Sequence, residues 1–600
     1  MIDSMLFSKK FILTYQLVLI ALLLAFTVVH WSSRLQAWRR KRRILAARTA
    51  RSGGRDETEV TFEGKGGVLV QSRSSGSSSS SSTLAEDTMI EDTILERPNE
   101  QTSLLRKPRS INAAMRRYVF ISKLKAWVVY QPRPIPILNK TLPSNGASLA
   151  VVAFIGLQIF YTFFNTPLSL SMLFVFADRT SLLFVANLPL LYLFAAKNQP
   201  LKLLTGYSYE GLNIIHRRLG EVMCLLALLH SIGMIGVWYT ILRPVGMTLV
   251  KFLLMKMILL GIGAFVAYEL IYFTSLGSFR QRWYELFLGL HVILQAAALI
   301  LVWFHHHGSR PYVGAALAIF LIDRLVYRMF IKRKTTSASL RVMEDEKTVA
   351  LCTQVSLGKQ RSVLSYLCGT SNIAGGWKTT EHVFLTVPSL AHKHIIQAHP
   401  FTVASKAPSA NHQEARLELV IRAQNGFSAD LLRYARNHHT IAIKLDGPYG
   451  SQSAFHMLQD CDNTIIIAGG SGIAVTWPLI SSLLESLGND DLENSRKATD
   501  ARRLLFVWVI REQSHLSWLS REKLETLEAR GVTVKIPPTT ADNGHPDVAG
   551  LITDWVDGCH GRTGVVASGP DGLNRSVRNT CSSLIRNGYD VNVEIEKFGW

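Results

Sequence analysis

Four histidines stand in two apolar stretches at one repeated spacing: His216 and His230, then His291 and His305, 14 residues apart in each case. At about 100° and 1.5 Å per residue, two such side chains share a helix face about 21 Å apart along the axis. Two such helices side by side present two imidazole pairs at two depths. That layout suits two stacked haems, each iron taking one histidine from each helix. A single polar residue in a membrane helix is commonly a packing partner, and His306 and His307 show that loop histidines also occur here. Four ionisable groups at matched spacing each cost insertion energy, which favours metal ligation over packing.

Helices that hold such pairs must cross lipid. Windows approaching or exceeding the ~20 apolar residues this requires fall near 11–31, 147–165, 181–197, 214–239, 249–274, 284–304 and 311–331, predicting seven spans. The formal charge of +21 lies partly beside them, at Arg39, Arg40, Lys41, Arg42 and Arg43 after the first and at Arg328, Lys332, Arg333 and Lys334 after the last. Positive residues favour the cytosolic side, so the amino terminus is expected outside, with His216 and His291 forming the inner pair and His230 and His305 the outer. Arg217, Arg218, Arg280 and Arg282 either mark the cytosolic boundary or meet the propionates of the inner haem. Arg179, Arg243, Arg310, His306 and His307 fall at outer loops, where cations attract anionic metal chelates and imidazoles hold a metal ion. No nucleic-acid module is legible, and anionic lipid is the expected partner of the basic clusters. The first span reads as an anchor rather than a signal peptide, because a dense basic run follows its long apolar core. The six cysteines form no close C-x-x-C pair, so free thiols are expected, with neither a disulfide framework nor zinc.

The expected organisation is a first span over 1–31, a disordered cytosolic linker over 32–110 and a six-span haem domain over 111–334, followed by two soluble domains. The linker holds the serine run Ser77 to Ser82 and acidic residues from Glu86 to Asp92, a composition that cannot bury a core. The proline-punctuated stretch Gln131 to Pro136 is expected along the membrane. Short β-rich runs at Thr348 to Val355, His382 to Val387, Leu417 to Ala423 and Thr440 to Leu445 predict an antiparallel barrel over 335–450. Over 451–600, strands at 464–468, 503–510, 532–536 and 564–567 alternate with helical stretches and predict a doubly wound α/β sheet. In that sheet Gly469, Gly470, Ser471 and Gly472 stand where a strand meets a helix, the place where backbone N–H groups receive phosphate. Their spacing departs from G-x-G-x-x-G, and an unliganded tight turn fits equally well. His399, Pro400, Phe401 and Thr402 read as a turn entering a strand. Arg422 with Gly426, Phe427 and Ser428 suits a pyrophosphate or a plain glycine turn.

Taken together and in order, these stretches resemble the fungal ferric reductase family within the NADPH oxidase superfamily. The matching pieces are Asp178-Arg179-Thr180, His216 to Gly220, Tyr284-Glu285-Leu286 before His291, His399 to Thr402, Gly469 to Ala474, Ser568-Gly569-Pro570 and Glu596 to Trp600. The resemblance covers about residues 112–600. It implies a ferredoxin-reductase-like module in which His399, Pro400, Phe401 and Thr402 contact FAD, and Arg422 with Gly426, Phe427 and Ser428 holds its pyrophosphate. Gly469, Gly470, Ser471 and Gly472 would bind NADPH, with Arg511 on the 2′-phosphate and Phe598 or Trp600 covering the flavin. Ser568 stands where relatives usually carry cysteine near the nicotinamide, trading sulfur's size and polarisability for a smaller hydroxyl. NADPH gives electrons in pairs and haem accepts them singly, so FAD must divide them before two b-type haems carry them outward. The implied acceptor is a ferric or cupric ion or chelate in support of iron uptake, at the plasma or vacuolar membrane, with an iron permease or multicopper oxidase as possible partner. An NADPH oxidase making superoxide is the alternative, disfavoured by the second 14-residue spacing. A receptor or transporter with a regulatory nucleotide domain would leave the four histidines unexplained.

Overall fold

The computed structural model describes residues 2–53, 111–136, 141–166, 168–358, 372–395, 397–409, 413–488, 502–538 and 544–597. The chain forms two compact units, one of residues 1–33 with 121–600 and one of residues 34–120. In the second unit the described backbone is helical. The predicted linker from 54 to 110, the serine run, Cys368, Phe598 and Trp600 lie outside the described residues.

Among the described residues the α-helices before the first strand are α1 (Ile2–Gly53), α2 (Ile111–Val129), α3 (Asn145–Phe163), α4 (Leu173–Ala195), α5 (Leu201–Thr205), α6 (Tyr209–Val237), α7 (Leu249–Leu253), α8 (Lys256–Ser275), α9 (Gly277–Arg282), α10 (Tyr284–His305) and α11 (Arg310–Leu321). Among the described residues six stretches are long and apolar enough to cross a membrane: 2–36, 145–163, 170–195, 209–242, 256–275 and 284–305. The expected seventh differs. α11 has 12 residues and passes into a π-helical segment, Ile322–Ile331, that carries Asp323, Arg324 and Arg328. α1 also continues well past residue 31, so the start of the expected linker is helical.

The bundle is held by packing and by polar groups that satisfy one another. The Tyr15 hydroxyl donates to Asn187 Oδ1 (2.6 Å), Gln158 Nε2 donates to the Tyr15 oxygen (2.7 Å), and Asn187 Nδ2 donates to Gln158 Oε1 (2.8 Å). This closed ring ties α1, α3 and α4 together, giving each buried polar group a partner where water is absent. Outward-facing apolar side chains such as Leu17, Val28 and Ile293 remain exposed, as a lipid-facing surface requires.

Beyond the bundle, β1 (Arg333–Val342), β2 (Thr348–Ser356), β3 (His382–Thr386), β4 (His399–Thr402), β5 (Glu414–Arg422) and β6 (Thr440–Tyr449) form one antiparallel sheet in the order β4-β3-β6-β1-β2-β5. It curls over a core that includes Leu351, Leu385, Leu419 and Ile443, closed by α12 (Phe427–Ala435) through Phe427 and Leu431.

The last part contains α13 (Ser453–Gln459), β7 (Asn463–Gly469), α14 (Ile473–Gly488), β8 (Leu504–Val509), α15 (Arg521–Ala529), β9 (Val532–Lys535), α16 (Val548–Asp557), β10 (Thr563–Ser568), α17 (Asp571–Arg586) and β11 (Val591–Ile595). Its strands are parallel in the order β11-β10-β7-β8-β9. β7 is buried throughout, as a central strand covered on both faces must be. The order reverses between β7 and β10, which opens a crevice at their carboxyl ends.

The segment before α3 makes contacts the sequence did not suggest. Ala126 is fully buried in the core of the parallel-sheet domain, and its carbonyl accepts from Ser582 Oγ (2.8 Å). Gln131 N donates to Asn579 Oδ1 (2.8 Å), while Asn579 Nδ2 donates back to the Gln131 carbonyl (3.0 Å). The segment Gln131 to Pro136, expected along the membrane, is thus strapped at its first residue to α17.

Candidate functional site

The two histidine helices bring their imidazoles together in the expected pairs. The His216 and His291 ring centres are 6.4 Å apart, and so are those of His230 and His305. Two imidazole nitrogens each about 2 Å from a shared metal, with ring radii of about 1.2 Å, put the ring centres roughly 6 Å apart. Both pairs fit that requirement.

The rings are aimed by helices that carry none of the four histidines. His216 Nδ1 donates to the Leu191 carbonyl (3.0 Å) and His230 Nδ1 to the Ala177 carbonyl (2.8 Å), both on α4. On the other side His305 Nδ1 donates to the Met257 carbonyl (2.8 Å) and His291 Nδ1 meets Ser275 Oγ (3.2 Å), both on α8. A carbonyl can only accept, so the proton is fixed on Nδ1 and the Nε2 lone pair is left for a metal. Gly261 makes room for His305: a Cβ there would lie 2.7 Å from the ring.

The inner arginines divide. Arg218 is paired with Glu221 and Arg282 lies over Trp283, which ties these two to protein. Arg217 and Arg280 are charged neighbours, and Arg280 Nε is buried without a partner, an arrangement an anionic group would satisfy. At the outer side Arg179 is fully buried. Its Nη1 donates to the carbonyls of Tyr161 (3.2 Å) and Phe164 (3.4 Å), and its guanidinium faces Phe7 and Phe11. It is not an outer-loop charge, which corrects the expectation that it attracts chelates from solution. Arg243 and Arg310 lie over Tyr239 and Trp303.

On the barrel, β4 presents His399, Pro400, Phe401 and Thr402, all half-buried. The His399 ring stacks on Phe427 (4.2 Å), burial lowers its pKa to about 4, and its Nε2 is buried without a partner. Gly426, with φ at +61°, starts α12, and the Ser428 hydroxyl accepts from Gln424 N (3.0 Å). Exposed Arg422 ends β5 a few residues before. Together these form an open cradle with an orphaned polar atom and a helix amino terminus, which fits a flavin with its pyrophosphate.

In the crevice, Gly470 to Gly472 turn at the end of β7, and a Cβ on Gly472 would lie 1.9 Å from the Ser568 carbonyl oxygen at the end of β10. Ser568 is fully buried and donates through Oγ to the Glu596 carbonyl (2.8 Å), so its hydroxyl holds the carboxyl-terminal segment against β10. Arg511 is exposed just past β8, the strand beside β7. These positions fit a dinucleotide at the crevice.

The sequence left several contacts between bundle and barrel unread. His382 on β3 meets Glu210 Oε1 through Nδ1 (3.0 Å) and the Tyr209 hydroxyl through Nε2 (2.7 Å). Burial lowers the His382 pKa to about 3, reinforced by Lys197, Lys202 and Lys332 nearby. Arg328 Nε donates to Asp446 Oδ2 (2.8 Å), and the Tyr449 hydroxyl donates to Asp446 Oδ1 (2.6 Å). Glu285 at the start of α10 lies with His394 and His399, their side-chain donor atoms all within 4.8 Å of one another.

The architecture is a helical unit with membrane-length helices and paired histidines, joined to an antiparallel barrel and a parallel nucleotide-type sheet. Residues 180–302 match the ferric reductase like transmembrane component, 364–453 an FAD-binding domain and 461–537 the ferric reductase NAD binding domain. These three matches fall along the chain in this order and make it similar to ferric reductases over its membrane, flavin and nucleotide parts. It is 25% identical to a probable cell surface ferric reductase of Aspergillus oryzae, over 66% of this chain and 52% of that one. It is 28% identical to ferric reductase transmembrane component 4 of Saccharomyces cerevisiae, over 60% of this chain and 45% of that one. A ferric/cupric reductase transmembrane component of Candida albicans is 26% identical, over 59% and 42%. The chain thus spans about half the length of these relatives. Among the described residues Cys224, Cys352, Cys461, Cys559 and Cys581 are in no disulfide.

Proposed function

We propose that this chain is an NADPH-dependent ferric-chelate reductase of a cellular membrane, taking electrons from cytosolic NADPH and delivering them to ferric or cupric ions or chelates on the far side. When bound, FAD converts a hydride's electron pair into single electrons, and two b-type haems carry these across the bilayer. The observation that carries the reading is the pair of 6.4 Å imidazole separations on two helices whose inner ends meet the flavin-type barrel.

The chain's own part is orientation and insulation. Gly472 lets the turn after β7 approach β10 closely, narrowing the crevice where nicotinamide would reach the flavin. His399, Phe401 and Thr402 border the cradle, while Arg422 and the Gly426 turn face the position of the pyrophosphate. His216 with His291 would hold one haem iron and His230 with His305 the other, and those haems would supply one-electron transfer toward an acceptor on the far side. Rings from the barrel side approach the inner pair in sequence: Tyr284 to Phe287 at 6.0 Å and Phe287 to His291 at 5.4 Å.

Iron uptake at the plasma membrane, beside an iron permease or a multicopper oxidase, is the physiological role this reading supports. The test is a reduced-minus-oxidised haem spectrum of the purified protein, followed by NADPH consumption with ferric citrate, cupric ion or oxygen as sole acceptor. Consumption supported by ferric citrate and a two-haem spectrum are expected. Turnover with oxygen alone would replace this reading with an NADPH oxidase, and the absence of haem would remove it.

A further inference from the structure

Each histidine helix begins with a glutamate six residues before its inner histidine: Glu210 before His216 on α6, and Glu285 before His291 on α10. Six residues are about 9 Å of rise and 600° of turn, so each carboxylate points about 120° away from the imidazole above it. One helix end can therefore turn its imidazole to the partner helix and its carboxylate to the barrel. Both glutamates do reach the barrel, at different places.

Glu210 Oε1 contacts His382 Nδ1 at 3.0 Å, and its other oxygen accepts from Ser208 Oγ at 2.9 Å. His382 is the cross-strand partner of Thr402, so this contact lies beside the carboxyl end of β4. Glu285 lies at the opposite end. Its Oε1 would be 3.4 Å from a Cβ on Gly426, and its carboxylate is grouped with His394 and His399. That group is not a metal cage, because both ring nitrogens of His394 are occupied by Gln397 (2.5 Å) and Asp430 (3.0 Å). The two contacts bracket the cradle, and two separated points fix an orientation that a single point leaves free to rotate.

We infer that Glu210 and Glu285 are positioning residues that register the flavin barrel against the inner histidine pair, setting the span an electron must cross between them. This inference rests on the reductase reading above and deepens it by assigning the alignment to two side chains on the ligand helices themselves. Among the described residues neither glutamate is hydrogen-bonded to the crevice between β7 and β10, and Glu210 faces it only through the charge of Glu596, beyond the last strand. Their loss should therefore act after flavin reduction and before haem reduction.

The experiment uses the full chain with its cofactors in nanodiscs, comparing Glu210→Ala, Glu285→Ala and the double variant with the corresponding Gln variants. Anaerobic stopped-flow separates NADPH-driven flavin reduction from the haem reduction that follows. Flavin reduction and the NADPH KM should stay within about twofold of the parent chain, while haem reduction slows about ten- to a hundredfold in the double Ala variant, as a shift of about 1 Å at a reacting site can cause. The Gln variants, which keep the shape and a hydrogen-bonding oxygen, should recover part of the rate. A second readout needs no turnover: in the cofactor-stripped chain, hydrogen exchange should rise in β3 and at the start of α12 in the Ala variants. Haem reduction at the parent rate in the double Ala variant overturns the inference. So does an equal loss in both half-reactions, which would indicate general damage. A parent chain that lacks haem, or whose flavin NADPH does not reduce, would instead overturn the reductase reading beneath it.

Discussion

Gly472→Ala tests the nucleotide crevice with the smallest possible change. The added Cβ would stand 1.9 Å from the Ser568 carbonyl oxygen and 2.7 Å from its carbon, where real contacts stay at 3.0 Å or more. The turn after β7 and the end of β10 must then part by more than 1 Å, and both obstructing atoms are backbone. Overpacking of this kind costs about 1–3 kcal/mol. A misplacement of about 1 Å where the hydride donor must sit is expected to slow flavin reduction about a hundredfold. Gly470→Ala is the internal comparison. Nothing lies within 4 Å of its Cβ, so its penalty is the left-handed backbone at φ +55°, about 1–2 kcal/mol without a clash. The assay is anaerobic flavin bleaching against NADPH concentration, with thermal unfolding measured on the same preparations. If Gly472→Ala reduces its flavin at the parent limiting rate and KM, the nucleotide does not use this crevice.

Three further outcomes follow from the geometry. His216→Ala or His291→Ala should remove the inner haem, and His230→Ala or His305→Ala the outer, halving haem per chain by pyridine haemochrome assay; unchanged content in all four would exclude ligation. Arg422→Ala should weaken FAD retention by on the order of 1.5–3 kcal/mol if the arginine holds the pyrophosphate, read as flavin lost during gel filtration. Burial holds His382 near 3 and His399 near 4, whereas in the unfolded chain both titrate near 6.5, so the unfolded state binds more protons between those values. Barrel stability should therefore be fully present above about pH 6.5 and decline as pH falls toward 4, and His382→Asn should flatten that slope in pH-dependent thermal unfolding.

The pairing of the histidines was legible because helical period and insertion cost act on the sequence directly: 14 residues returns a side chain to the same face, and polar atoms in apolar runs stand out. The doubly wound sheet was legible for a similar reason, since β7 is a continuous apolar run ending in glycines. β11 escaped notice because Val591 to Ile595 mixes apolar residues with Asn592 and Glu594, and its pairing with β10 comes from distant sequence. β1 was hidden by Arg333 and Lys334, which read as the cytosolic flank of a span yet open a strand paired to β6. Arg179 was misplaced because position along a span says nothing about which face a side chain turns to, and here it turns inward onto α1 and α3. The glutamates that meet the barrel carried a signal in plain view, the shared six-residue offset. In isolation each was only an acidic residue in a first helical turn.

The histidine anchors divide labour in a way that bears on how such a chain diversifies. α6 and α10 carry the four imidazoles, whereas α4 and α8 carry the groups that meet each Nδ1. The strength of that second bond governs ligand basicity and hence redox potential. Three anchors are peptide carbonyls, which no point substitution removes, so those three rings shift only when a neighbouring helix shifts. The fourth is the Ser275 hydroxyl, a side chain that one codon can delete, lengthen or turn apolar. On the reductase reading, the inner pair thus has one anchor open to point mutation, while both anchors of the outer pair belong to the backbone.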